Sequence, residues 1–204
     1  MAPRRIVGPV LPVCKVTRTG SLRLSAEALT RREIVGVAAD PFMTSIQIVE
    51  ADLNAAEHQA AVVELLDAYA TDPMGNGKPL ADEVRKRLVA GLQELPTTLV
   101  FLAYDQTSPV GVAVCFRGFS TFVARPLINV HDLAVLPTHR GRGVGRKLLA
   151  AVETRARESG CCKLTREVLE NNRVARRFYA DFGFAPATYV PQAGVALFLA
   201  KGLL

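Results

Sequence analysis

From residue 45 onward, apolar and polar positions follow two rhythms that take turns along the chain. Residues Ser45 to Glu50 alternate with period two, which predicts a half-buried strand. Between Leu53 and Ala70, the apolar residues Ala56, Val62, Val63, Leu65, Leu66 and Tyr69 recur at helical spacing. A Gly- and Pro-rich loop from Thr71 to Pro79 follows, then a second amphipathic stretch from Leu80 to Leu95 that Pro96 ends. Two apolar runs, Thr97 to Tyr104 and Val110 to Phe116, flank the turn residues 105–109 and predict an antiparallel hairpin. A third run, Leu127 to Val135, precedes a glycine-rich stretch at 140–145 and a helix from Gly143 to Ser159. The chain then predicts a strand at Lys163 to Val168, a short helix at Asn172 to Asp181 stopped by Gly183, and a final strand at Val195 to Ala200. Hairpins first and strand–helix alternation later indicate a mixed-sheet α/β domain.

Length and composition narrow this further. A chain of 204 residues, half of them hydrophobic, is one domain's worth of sequence with a real core. The absence of Trp and the few aromatic residues disfavour a base-stacking platform. The net charge of +6 invites a nucleic-acid partner, but its placement withdraws the invitation. Residues 1–43 hold seven basic side chains against three acids, which leaves only +2 on the remainder. We therefore read 1–43 as a basic N-terminal extension and 44–204 as the functional domain. Met43 is an alternative start, because the first strand pattern begins just after it. The apolar run from Ile6 to Val16 is cut by Pro9 and Pro12 and is far short of the ~20 residues of a spanning helix. We expect no membrane and no nucleic-acid partner, and a cytoplasmic location.

Cys14, Cys115, Cys161 and Cys162 show no metal-ligand spacing, and His58, His131 and His139 are the only histidines. No metal is expected. Cys115 reads as core, while His58 and His139 read as surface residues.

The strongest chemical signal is the segment from Val135 to Leu149, where a strand ends, a glycine-rich turn follows and a helix opens. Glycines at 141, 143 and 145 let backbone N–H groups converge at a helix N-terminus, a pyrophosphate site that Arg140, Arg142 and Arg146 reinforce from its flanks. The spacing is neither that of a dinucleotide fingerprint nor that of a Walker motif.

Here the chain resembles the GNAT superfamily of acetyl-CoA-dependent N-acetyltransferases. The cofactor signature, Gln/Arg-x-x-Gly-x-Gly/Ala, is met by Arg140, Gly143 and Gly145. A second signature is met by Asn172, Ala175, Phe178, Tyr179, Gly183 and Phe184. The likeness covers residues 45–200 and implies a central, mostly antiparallel sheet with one splayed parallel strand pair and flanking helices. It further implies that Tyr179 protonates the departing thiolate. Asn172 and Ala175 would hold the pantetheine region, and the segment from Arg140 to Arg146, with Gly141 and Val144, would hold the pyrophosphate. The backbone of Leu133, Ala134 and Val135 would pair with the pantetheine arm, one N–H of that strand polarising the thioester carbonyl.

Within the superfamily, residues 116–133 resemble the diamine (polyamine) acetyltransferase branch. That branch has an acidic residue where this chain has His131, which removes one carboxylate and offers a base whose ordinary pKa is near 6.5. Asp132 and Glu167 acting through water are the other candidates for the base. Asp72, Met74 and Asn76 sit in the loop that usually forms the acceptor wall, and Asp132 and Glu167 join them as acceptor-binding candidates. Phe178 and Phe182, four residues apart, read as core.

The sequence thus points to acetyl transfer from acetyl-CoA to a primary amine, directly within a ternary complex, with a small-molecule acceptor and a homodimeric assembly. A non-catalytic acyl-CoA-binding module and a protein-lysine or N-terminal acetyltransferase are the alternatives.

Overall fold

The computed structural model describes residues 46–203. The readings of the basic extension and of Cys14 lie outside them. Five strands form one open sheet in the order β1-β2-β3-β4-β5, with β1 at Ile46–Glu50, β2 at Thr98–Asp105, β3 at Ser108–Ser120, β4 at Arg125–Val135 and β5 at Leu164–Thr165. The first three pairings are antiparallel, and β4 with β5 is parallel. This is the mixed-sheet α/β architecture that the apolar pattern implies.

Helices cover both faces. Helix α1 (Ala56–Thr71) and α2 (Asp82–Glu94) lie on one side, where Val62, Leu65, Leu66 and Leu92 pack against Val100, Leu102, Val112 and Val114. On the other side, Val144, Leu148, Leu149 and Val152 of α3 (Val144–Glu158), with α4 (Arg173–Phe182), pack against Phe101, Ala113, Cys115, Ile128 and Val130. Period-two alternation along β2 sends Val100 and Leu102 to one core and Phe101 and Ala103 to the other, so a one-residue slip would expose both sets.

Several elements depart from the pattern. Helix α1 begins at Ala56 instead of Leu53, because Asp52 Oδ1 accepts the Asn54 N–H at 2.9 Å and holds the entry as a turn. Strand β5 is two residues long instead of six, its pairing with β4 stopping after Asn129↔Thr165. No strand forms at 195–200 among the described residues. Its apolar run finds no ladder to join, and Leu197, Phe198 and Leu199 stand at least 75% exposed.

One irregularity explains the short parallel pair. Val114 pairs with Asp132, but Cys115 pairs with Val130, so His131 is the extra residue of a bulge in β4. A bulge bends its strand and increases twist. Beyond it, β4 runs on to Val135 without β5 beside it, and the two strands open as a wedge.

Candidate active site

The wedge has two unlike walls. On one side is the free edge of β4, whose partly buried Leu133, Ala134 and Val135 present unpaired strand backbone toward the gap. At the end of this wall the chain passes through a 3-10 turn at Pro137–His139 and enters the glycine loop. Gly141 and Gly143 adopt φ of +75° and +80°, the left-handed region that favours glycine, and Gly143 is the N-cap of α3. Gly145 is glycine for another reason: a Cβ there would meet Phe178 Cζ at 3.3 Å, so its bareness lets α3 and α4 close on each other.

The N-terminus of α3 is electrostatically unfinished. No side chain caps it and its first turn has no acid, while Arg146 and Lys147 add positive charge to the positive end of the helix dipole. Val144, Gly145 and Arg146 are the residues whose N–H groups precede the first intrahelical bond, which runs from Lys147 N–H to Gly143 O at 3.0 Å. Arg142 is exposed and makes no ion pair among the described residues, and Arg146 stands over the Phe182 ring at 5.6 Å. This donor set fits a phosphate-bearing group.

Arg140 and Asp72 behave differently from the expectation for each. Arg140 donates from Nε to Val135 O at 3.0 Å and from Nη2 to Asp72 Oδ2 at 2.7 Å. Asp72 also accepts the Met74 N–H at 2.8 Å. That backbone donor, followed by the Arg140 guanidinium, holds its carboxyl below the usual carboxylate range. The pair therefore ties the loop after α1 to the end of β4. Met74 and Asn76 are exposed in that same loop.

The opposite wall carries side-chain chemistry. Tyr179, on α4, is only 5% exposed and wedged edge-on between the rings of Phe178 and Phe184. Burial pushes its phenol up to about 12, the nearby Arg166 guanidinium opposing the rise. Phe178 and Phe182 are partly buried against the α3/α4 core, as their spacing implies. Asn172 and Ala175 hold each other: Asn172 Oδ1 accepts the Ala175 N–H at 3.0 Å and caps α4. Both sit at the first turn of the helix that presents Tyr179.

Around the throat of the wedge, Asn129 Nδ2 donates to Thr165 Oγ1 at 3.2 Å and to Glu167 Oε1 at 3.1 Å. Glu167 is thereby fixed by Asn129 and not by a cross-strand cation. His131, on the bulge, is exposed and stands edge-on to Phe116 with ring centroids 5.4 Å apart. The carboxyl of Asp132 is pushed up by burial, against the opposing charges of His131 and Arg166.

Arg166 is the residue that the sequence reading passed over. It shares the strand face of Leu164, which packs on the core, so its guanidinium enters the throat. It stacks over the Tyr179 ring at 4.7 Å and reaches the carbonyls of Val130 and His131 at 3.5 and 3.4 Å. The signal was there: a cation two residues from Leu164, which packs on the core, is costly to bury and calls for a reason.

His139 and His58 are less exposed than expected. His139 Nε2 lies 3.2 Å from Asp105 Oδ2 with its side chain 17% exposed, and His58 Nδ1 accepts the Asp52 N–H at 3.0 Å. Cys115 is fully buried and its thiol is pushed up to about 12 by desolvation. A cavity of about 340 Å³ lies outside the wedge, between the end of α3 and the start of β5, and is lined by Arg157, Cys161, Cys162, Lys163, Phe182 and Phe184 among others. Among the described residues, no helix is long and apolar enough to cross a membrane.

Known proteins are similar to this chain in part of their sequence or in fold. An L-methionine sulfoximine/L-methionine sulfone acetyltransferase from Salmonella typhimurium is 34% identical over 65 residues, which are 32% of this chain and 38% of that protein. A thialysine N-epsilon-acetyltransferase from Bos taurus is 34% identical over 74 residues, 36% of this chain and 43% of that one. The chain thus spans less than half the length of either. Among solved structures, a possible acetyltransferase from Clostridium difficile superposes with a TM-score of 0.64 at 14% identity, covering 78% of this chain and 99% of that one. An aminoglycoside N-acetyltransferase in complex with CoA superposes with a TM-score of 0.61 at 18% identity, covering 80% and 99%. Identities this low show the fold alone. The Acetyltransferase (GNAT) family profile, however, matches residues 61–184, more than half of the sequence, and the chain belongs to that family.

Proposed function

We propose that this protein transfers the acetyl group of acetyl-CoA to a primary amine of a small molecule, by direct attack within a ternary complex. The observation that carries the reading is the wedge itself. An open strand edge, an uncapped helix N-terminus and a buried tyrosine border one gap. Acetyl-CoA supplies the activated thioester when bound. The N–H groups of Val144, Gly145 and Arg146, with Arg142 and Arg146 beside them, would take the pyrophosphate. The edge of Leu133, Ala134 and Val135 would pair with the pantetheine amides, and the Leu133 N–H would polarise the thioester carbonyl.

The reaction forms an N–C bond and breaks the C–S bond, with one proton leaving the amine and one reaching the sulfur. Tyr179 is the donor in this reading: a phenol held near 12 stays protonated throughout the neutral range. His131 is the base, exposed at the bulge where an incoming amine would arrive. Asp132 and Glu167 supply negative charge to the acceptor side, and Met74 its loop wall. Arg140, Gly141, Asn172 and Ala175 shape the cofactor site from behind, by fixing the loop and the start of α4.

Relatives named for acetylating small molecules support the choice of acceptor class. The likeness to the diamine branch enters this reading only through the shape of the β3–β4 wall. A cytoplasmic homodimer belongs to it as well, supported by the exposed apolar residues at the C-terminal end, and sedimentation tests the assembly. Thiol release from acetyl-CoA against a panel of primary amines tests the activity. Amine-dependent release supports the reading; binding of acetyl-CoA by calorimetry without release would support a binding module instead.

A further inference from the structure

Two opposite charges stand at the throat of the wedge without neutralising each other. The charges of Arg166 and His131 act on Asp132, yet no ion pair joins Arg166 to any acid among the described residues. Of the five N–H groups of a guanidinium, the recorded bonds use only Nη1, at long distances to the Val130 and His131 carbonyls. Arg166 Nε is buried and has no partner. Asp132 likewise accepts no hydrogen bond from the described residues. A half-buried cation and a partly buried carboxylate left apart are each costly, and a ligand carrying the complementary pair of charges relieves both.

A diamine cannot do so. Its second ammonium would meet Arg166 as a like charge in a place of reduced solvent screening. A molecule with a carboxylate near its amine fits both groups, since a guanidinium binds a carboxylate through parallel N–H···O bonds. We propose that Arg166 and Asp132 together select an acceptor that carries a carboxylate beside its amine, an amino acid and not a diamine. Arg166 takes the carboxylate while Asp132 and Glu167 face the amine end. This rests on the N-acetyltransferase reading and narrows its acceptor.

The test uses acceptor pairs that differ only in the carboxylate: L-lysine against 1,5-diaminopentane, and L-methionine against L-methioninamide. For the parent protein, kcat/KM favours the carboxylate member of at least one pair by roughly tenfold or more, the expected scale for one charge-assisted bidentate contact. In Arg166→Gln that ratio falls to near one, and Arg166→Lys restores part of it. Should Arg166→Gln fold poorly, calorimetry on the parent protein with N-acetylmethionine and its amide reads the same preference without a variant. Thiol release with diamines and amides at rates equal to or above those of their carboxylate partners overturns the carboxylate assignment while leaving the acetyltransferase reading intact. Failure of every amine to release thiol overturns both.

Discussion

The two walls of the wedge solve the same problem with different materials. The β4 wall works with backbone: its side chains at 133–135 are Leu, Ala and Val, and its strength lies in N–H and C=O groups left free where β5 departs. The β5–α4 wall works with side chains, Arg166, Glu167 and Tyr179, each held by specific partners. A backbone wall tolerates any side chain of suitable volume but no change of chain path. A side-chain wall behaves in the opposite way.

Substitutions can break that contrast. The largest effect is expected at Tyr179. Tyr179→Phe keeps the ring between Phe178 and Phe184 and removes only the hydroxyl, so kcat falls by roughly a hundredfold or more. Acetyl-CoA affinity, measured by calorimetry, stays within a few-fold. Next comes Asp132. Burial raises its carboxyl, so it becomes charged only at a pH above the ordinary carboxylate range. The part of the acid limb of kcat/KM that Asp132 contributes should therefore lie at higher pH than an ordinary carboxylate's, activity being lost as pH falls through it, and Asp132→Asn should remove that part while His131 remains as the base.

On the other wall the path of the chain matters. Gly143→Ala places a Cβ at φ +80°, which costs about 1–2 kcal/mol. A thermal melt should show a lower Tm, accompanied by weaker acetyl-CoA binding because the loop amides shift. The smallest effect is expected at Leu133→Met, a volume-conserving swap costing less than about 1.5 kcal/mol. Its kcat/KM should remain within a few-fold of the parent, as a wall made of backbone requires.

The same contrast explains what was legible in the sequence. Strand and helix rhythms located every element up to α4, and the glycine spacing located the turn before α3, because periodicity and left-handed φ leave direct marks on residue choice. The bulge at His131 left none: it is a matter of register between β3 and β4, and only the pairing of Val114 with Asp132 beside Cys115 with Val130 reveals it. The two-residue length of β5 was hidden with it, whereas the splaying of the strand pair was expected from the family resemblance. The apolar run at 195–200 was visible but describes only a capacity to pair, and a ladder also needs a neighbouring edge. Arg140 and Asp72 show a further limit. Each type suits a ligand, and 68 residues separate them, so nothing local signals that they bind each other.

The central claim is that the wedge, and not the cavity beside Cys161 and Cys162, receives acetyl-CoA. Amide hydrogen exchange with and without saturating acetyl-CoA tests it most directly. The account predicts slowed exchange at residues 133–135 and 144–146 and around Tyr179. Slowing confined to the end of α3 and residues 161–164, with the β4 edge unchanged, would contradict it.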